Sequence, residues 1–407
     1  MKILLYICLF TFFAGNLYAQ KMLKFAAPFT EEDLKLIQTL SPLPESSPAD
    51  PTNKVGLNPK AAAFGEDLFN DWRLSRGEEF ACQTCHRVTD HLMSVRDDTP
   101  IDIPTLWNLG HNKWFFWDGR ADTLWAQALG PIENPKEHDF SRTEVANLIS
   151  ADINYSKVYE ELFGEIPDFS DKERFPEPGK PSKDNKEAND NWEKMTAKDR
   201  MAVNKVFANV GKALAAFQMT LTSQKTNFDV FVEGIKEGDA KKINAISESA
   251  QRGLKVFIGK GKCITCHSGP AFTDSEFHDT QLPEIDVDLG FKNARHGGVK
   301  QVKESIFNAA GPFSDAPKGY FAKRLKTLKT EAKQKGRFKT PGLRNVDYTQ
   351  PYMHTGQFRS LIDVINFYSD MKGAQASDHP EIEARNFTEQ EKKDLVAFLK
   401  SISSFAQ

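Results

Sequence analysis

The chain has 407 residues, 31 of them phenylalanine, and a formal net charge of −3 from 53 basic and 56 acidic side chains. Its length suits two domains of ordinary size. Charges so evenly mixed give no basic footprint for nucleic acid, and no nucleic-acid partner is expected.

Residues 1–19 read as a secretory signal. Lys2 supplies the positive start, Ile3 to Phe13 an apolar run, and Leu17-Tyr18-Ala19 a small-residue exit. The run falls short of the ~20 residues that span a bilayer. The expected product is therefore an exported, periplasmic chain with no membrane span after cleavage. Cys8 lies within the apolar run and leaves with it.

Four of the five cysteines then remain, and all four fall in two copies of Cys-x-x-Cys-His. These are Cys82-Gln83-Thr84-Cys85-His86 and Cys263-Ile264-Thr265-Cys266-His267. Each is a c-type haem attachment motif: the cysteines add to the haem vinyl groups as thioethers and the histidine becomes the proximal iron ligand. A zinc ribbon would place its Cys-x-x-Cys pairs about 15–20 residues apart, and a thioredoxin-type pair would want a βαβ context. Neither explains a histidine after both pairs. With every remaining cysteine committed to haem, no disulfide is expected, although an exported compartment would permit one.

In chain order, Thr30-x-x-Asp33 is a capping pattern that opens a helix over 30–40. Ala63-x-Gly65 through Leu68-Phe69 precedes the first haem motif. Residues 165–196 hold Pro167, Pro176, Pro178 and Pro181 among many charged side chains, which suggests a flexible insertion. Val203, Val206, Val210, Leu214 and Phe217 recur at helical spacing and predict a long helix over 199–220. Gly253-Leu254 through Val256-Phe257 precedes the second motif as its counterpart did the first. Residues 316–336 are Lys-rich and read as a solvated loop. Thr388-x-x-Glu391 opens a C-terminal amphipathic helix. The two halves repeat one order of parts. The expected fold is mainly α, with tandem cytochrome c-like domains over 20–225 and 226–407, each with one covalently bound haem c.

The segment Phe115-Phe116-Trp117-Asp118-Gly119-Arg120-Ala121-Asp122 resembles the Phe-Trp-Asp-Gly-Arg signature of bacterial dihaem cytochrome c peroxidases and their relative MauG. Asp71-x-Arg73-Leu74-Ser75, Gly130-Pro131-Ile132, Ala213-Leu214-Ala215-Ala216-Phe217, Thr340-Pro341-Gly342-Leu343-Arg344-Asn345 and Pro351-Tyr352-Met353-His354-Thr355-Gly356 extend the likeness over nearly the whole mature chain. The resemblance implies that Trp117 relays electrons between the haems. It places Gln127, Glu137 and Pro131 on the open side of the first haem, with Glu137 as the acid–base for peroxide. Ser94 stands where many members carry a distal histidine, and His91 and Met93 are too close to His86 to replace it. A first haem without a distal protein ligand is expected.

At the second haem, the likeness puts Tyr368 in the distal position, where ordinary members carry methionine and MauG tyrosine. Met353 reads as packing, and His354 as a hydrogen-bonded structural histidine. Asp102, Thr349 and Pro351 match the family's calcium ligands, and all three offer hard oxygen donors. The implied activity is reduction of hydrogen peroxide to water. The electrons would come from a small cytochrome c or copper protein and pass from the C-terminal to the N-terminal haem. The alternative is a MauG-like oxidase that stores two oxidising equivalents across both haems and acts on a partner protein. A non-enzymatic electron carrier would leave Gln127 and Glu137 without use.

Overall fold

The computed structural model describes residues 23–87, 102–283 and 294–404. The expected signal segment with Cys8, and His91, Met93 and Ser94, lie outside these residues.

The described chain is mainly helical. The helices that frame the site are α1 (Glu31–Gln38), α2 (Pro59–Asn70), α3 (Leu124–Glu133), α4 (Ala197–Gln218), α5 (Asn227–Glu237), α6 (Glu248–Ile258), α7 (Leu361–Asp370) and α8 (Glu389–Ser401). A two-residue antiparallel pair joins β1 (Phe277–His278) to β2 (Phe338–Lys339), with Phe277 opposite Lys339. The caps follow the sequence. Thr30 accepts from the Asp33 N–H while the Asp33 carboxylate accepts from the Thr30 N–H, which closes the capping box of α1. Thr388 and Glu391 do the same for α8. Asn58 caps α2 just ahead of Pro59, whose missing N–H costs nothing in the first turn.

Two helix crossings build the halves. In the first, α2 lies against α4 at Gly65, where a Cβ would stand 2.0 Å from the Ala213 carbonyl oxygen. In the second, α6 lies against α8 at Gly253, where a Cβ would stand 1.9 Å from the Asp394 carbonyl oxygen. Only glycine admits backbones this close. Each crossing therefore fixes the helix that delivers a Cys-x-x-Cys-His motif. The repeat extends further. Asn108 and Asn345 both take left-handed conformations, each at the head of a 3₁₀ turn, and both donate to the Ser223 hydroxyl.

Each half has its own hydrophobic core. The first gathers Phe64, Leu68, Trp125, Val206, Phe207 and Leu214. The second gathers Phe228, Phe231, Phe257, Phe272 and Phe398, with Phe257 and Phe398 ring centroids 5.0 Å apart. The cores interleave along the chain. Leu34, Ile37 and Leu40 join the second, and Phe307 and Phe313 join the first. A single cut near residue 225 therefore does not separate them. The second core also encloses an ion pair: Arg344 donates to both Asp229 oxygens at 2.8 Å, with the two side chains 1% and 4% exposed.

Residues 165–196 are not the flexible insertion that their prolines and charges suggest. Phe169 and Phe175 are buried with ring centroids 4.8 Å apart, and the helix Lys186–Lys194 buries Trp192. Sparse aromatics anchor a polar segment that lacks periodicity. The Lys-rich stretch 316–336 likewise forms a helix, Tyr320–Thr327, which buries Ala322 and Leu325.

Candidate haem cavity

Both Cys-x-x-Cys-His motifs face one cavity of about 890 Å³ between the halves. That is near the upper end of the roughly 300–1,000 Å³ typical of small-molecule sites. Cys85, His86, Trp117, Gln127, Pro131 and Glu137 line one part of it; Cys263, Cys266, His267 and Tyr368 line another.

The first motif forms a single helical turn, Cys82–Cys85, and the His86 N–H donates to the Cys82 carbonyl at 3.0 Å. The second forms a 3₁₀ turn, and the His267 N–H donates to the Cys263 carbonyl at 2.9 Å. Such turns bring both cysteines and the histidine to one side. None of these four cysteines is in a disulfide, which leaves all four for thioether formation. Burial pushes the Cys82 and Cys263 thiols up to about 12, so both stay protonated at neutral pH.

The Nδ1 of His267 lies 3.0 Å from the Phe272 carbonyl. That acceptor fixes the proton on Nδ1 and turns Nε2 outward as the bare donor for a metal. Burial lowers the pKa of His267, so the ring stays neutral, the form that ligates iron. Among the described residues, the one close trio of other metal-binding groups is Cys266, Asp274 and His278. There the His278 ring already lies against Asp274 at 2.9 Å and Glu381 at 2.5 Å. The donor set thus fits covalent haem better than zinc.

At the first motif, Gln127 and Glu137 share a pocket with Cys82, Cys85 and His86. Gln127 comes from α3, and its Oε1 is buried without a hydrogen-bond partner among the described residues. Glu137 sits in the turn after α3, where the Asn134 amide donates to its Oε1 at 2.5 Å. Pro131 lies within α3 and faces the same space. Sequence reasoning missed His138. It is buried, with Nδ1 2.8 Å from the Leu74 carbonyl and Nε2 3.9 Å from the Cys82 sulfur.

Trp117 stands on the wall shared by both sites. Its indole N–H donates to the Asp102 carbonyl at 3.0 Å, and its own carbonyl accepts from the Lys339 N–H at 2.8 Å. The tight turn behind it is closed by Phe115 pairing with Ala121. Gly119 has φ +69, and a Cβ there would meet Phe277 at 2.3 Å, so the signature glycine is needed for both conformation and space. Among the described residues, His354 makes no side-chain hydrogen bond. Its ring stacks on Phe338 at 3.6 Å and meets Trp117 edge-on at 6.3 Å. Burial lowers it to about 4, which keeps this aromatic group uncharged.

Tyr368 projects from α7 into the cavity beside the second motif. Burial, followed by the nearby Cys263 and Cys266 sulfurs, raises its pKa. Asp102, Thr349 and Pro351 line the same cavity. The Asp102 N–H donates to the His354 carbonyl at 3.1 Å, and burial pushes its carboxyl up to about 8.

Two Cys-x-x-Cys-His turns on one largely apolar cavity, with a neutral histidine presented at the second, define a c-type haem protein built for redox work. The comparisons give the family. Residues 59–237 match the family described as di-haem cytochrome c peroxidase. The chain is 31% identical over 404 residues to the methylamine utilization protein MauG of Methylorubrum extorquens, covering 96% of this chain and 92% of that one. It is 28% identical to the cytochrome c551 peroxidase of Nitrosomonas europaea, covering 85% and 80%. Among solved structures, the diheme peroxidase BthA from Burkholderia thailandensis shares the fold with a TM-score of 0.60 at 19% identity, covering 88% of this chain and 89% of that one. The chain belongs to the di-haem cytochrome c peroxidase and MauG family of oxidoreductases.

Proposed function

We propose that this protein is an exported dihaem c-type peroxidase that reduces hydrogen peroxide to water at the first haem site. A small cytochrome c or copper protein is the electron donor, and electrons enter at the second site. Haem c, when bound, supplies the iron at each site and the capacity to take up and release electrons. The observation that carries the reading is the pocket at His86, where Glu137 and the unpaired Gln127 Oε1 face the same space.

The residues divide the work. Reduction takes two electrons and two protons per peroxide and yields two waters. Glu137 accepts the proton of one peroxide oxygen and delivers it to the other as the O–O bond breaks. The Gln127 oxygen accepts a hydrogen bond from the same molecule and orients it. Pro131 and Leu106 give the pocket apolar walls. Trp117, held by hydrogen bonds at both its indole and its main chain, is a rigid relay between the sites. A calcium ion at Asp102, Thr349 and Pro351 belongs to the same proposal. Its support is a half-buried carboxylate with no ion-pair partner among the described residues, on a wall that also offers hard main-chain oxygens.

A second reading is favoured by Tyr368. A phenolate oxygen stabilises oxidised iron where methionine would favour reduced iron. That suits a MauG-like oxidase acting on a partner protein. One experiment separates the readings: peroxide is added to the oxidised holoprotein, followed by reduced cytochrome c. Fast donor turnover supports the peroxidase. A long-lived oxidised spectrum with slow donor turnover supports the oxidase. No spectral response to peroxide overturns both and leaves an electron carrier.

A further inference from the structure

Among the described residues, Lys339 is a cation on the haem cavity wall that forms no ion pair. Its ammonium makes one hydrogen bond among the described residues, a marginal one to the Thr340 carbonyl at 3.5 Å. The nearest opposite charge is Asp274, but that carboxylate is already taken. One oxygen accepts from the Glu276 N–H at 2.8 Å, and the other lies 2.9 Å from His278 Nε2. Burial lowers the Lys339 ammonium to about 8. Lys339 is half-buried on the cavity wall, and a charge that a bound group would cover is ordinarily paired, because leaving it alone in a low-dielectric site is costly.

The position of Lys339 says which ligand would pair with it. It ends β2, and two residues further on the Pro341 carbonyl lies beside the His267 ring. The strand therefore flanks the second haem site. The Lys339 N–H also holds the Trp117 carbonyl at 2.8 Å, so the residue stands on the wall between that site and the relay. Haem carries two propionates, its only anionic groups, on the edge opposite the vinyl carbons that the cysteines capture. Four other cations on the cavity wall are badly placed for them. Arg385 and Lys262 sit by Cys263, at the thioether edge. Arg120 is paired with Asp118 at 3.0 Å, and Arg344 with Asp229 at 2.8 Å.

We propose that Lys339 is the ion-pair partner of a propionate of the second haem, on the side that faces Trp117. The inference rests on haem c at the second site and not on any peroxide chemistry. The pair fixes the propionate edge toward the relay. It also places a positive charge beside the haem that favours its reduced state, because reduction adds an electron next to that charge.

The test uses the dihaem holoprotein with Lys339→Met and Lys339→Arg, and follows the two haems separately by spectroelectrochemistry. At the wild-type midpoint of the second haem, the oxidised-to-reduced ratio rises at least tenfold in Lys339→Met. It stays within threefold in Lys339→Arg, and the first haem is unmoved in both. A ratio within twofold of wild type in fully loaded Lys339→Met overturns the proposal, as does a shift confined to the first haem. If Lys339→Met fails to load haem, resonance Raman of wild type and Lys339→Arg carries the test. The propionate bending band of the second haem differs between them if Lys339 is the partner, and identical bands overturn it. A wild-type protein with haem at Cys82 and Cys85 only overturns the parent reading and this one with it, whereas absence of peroxide reactivity touches the parent reading alone.

Discussion

Trp117 donates its indole N–H to the main-chain carbonyl of Asp102 at 3.0 Å, while the Asp102 carboxyl beside it is half-buried on the cavity wall. The proposed relay and the proposed calcium site thus share one residue, and loss of the ion should reach the tryptophan directly. Asp102→Ala is expected to weaken calcium binding at least tenfold in calorimetry. Chelation should change the tryptophan fluorescence of the wild type and leave that of the variant unaltered. Equal affinity in the two proteins would exclude Asp102 as a ligand.

Glu137→Gln keeps the side chain's size and its contact with Asn134 but removes the proton-transfer group. General acid–base groups contribute roughly 10²–10⁴-fold. The rate at which oxidised holoprotein reacts with peroxide in stopped flow should fall by about that factor, with haem content and the resting spectrum unchanged. A rate within threefold of wild type removes Glu137 from the chemistry.

Much of this site was legible in the sequence because its chemistry is written in short local patterns. Cys-x-x-Cys-His fixes two thiols and an imidazole on one turn, and capping boxes at Thr30 and Thr388 mark helix starts that the structure keeps. What escaped was whatever depends on contacts distant in sequence. Phe169, Phe175 and Trp192 hold down a segment whose composition resembles a solvated loop. His354 was expected to find a hydrogen bond; among the described residues its ring instead stacks on Phe338 and meets Trp117 edge-on. Lys339 carried no signal in the sequence. Its place on the cavity wall and its lack of an ion-pair partner among the described residues emerge only from the fold.

Tyr368 is expected to set the character of the second haem. Tyr368→Phe removes the only oxygen its side chain offers, so the absorbance and electron paramagnetic resonance signals of the second haem should change while those of the first do not. Tyr368→Met should raise the midpoint potential of the same haem, since a thioether favours reduced iron. Spectra identical to wild type in both variants would place Tyr368 outside the coordination sphere.

Asp229 and Arg344 form the buried pair of the second core. Asp229→Ala leaves a guanidinium unpaired and should cost about 3–5 kcal/mol in urea unfolding. The pH dependence has a definite sign. Desolvation opposes ionisation, but the Arg344, Ser41 and Thr226 donors outweigh it and bring the carboxyl down to about 2. The unfolded value is near 3.9. The folded state therefore holds fewer protons between these values. The stability that Asp229 contributes is fully present above pH ~4 and is lost as pH falls through about 2. Asp229→Ala should flatten the stability curve in that acid window and lower it uniformly above.

Gly253 tests whether the helix crossing positions the second haem site. A Cβ at Gly253 would lie 1.9 Å from the Asp394 oxygen and 2.4 Å from its carbonyl carbon, and both are main-chain atoms that cannot swing aside. Alanine would gain up to about 1 kcal/mol in intrinsic helix preference. Against that stands overpacking, typically about 1–3 kcal/mol, because α6 and α8 must move apart. The contact is with backbone at both ends, so the clash should win and the urea midpoint of Gly253→Ala should fall. The displacement is local to the helix that leads to Cys263, so haem attachment should fail or its spectrum change at the second site only. Gly65→Ala meets the Ala213 carbonyl at 2.0 Å and should do the same at the first site only. Site-selective defects from two equivalent substitutions would tie each crossing to its own haem. Loss of both haems in either variant would show instead that the interleaved cores fold as one unit.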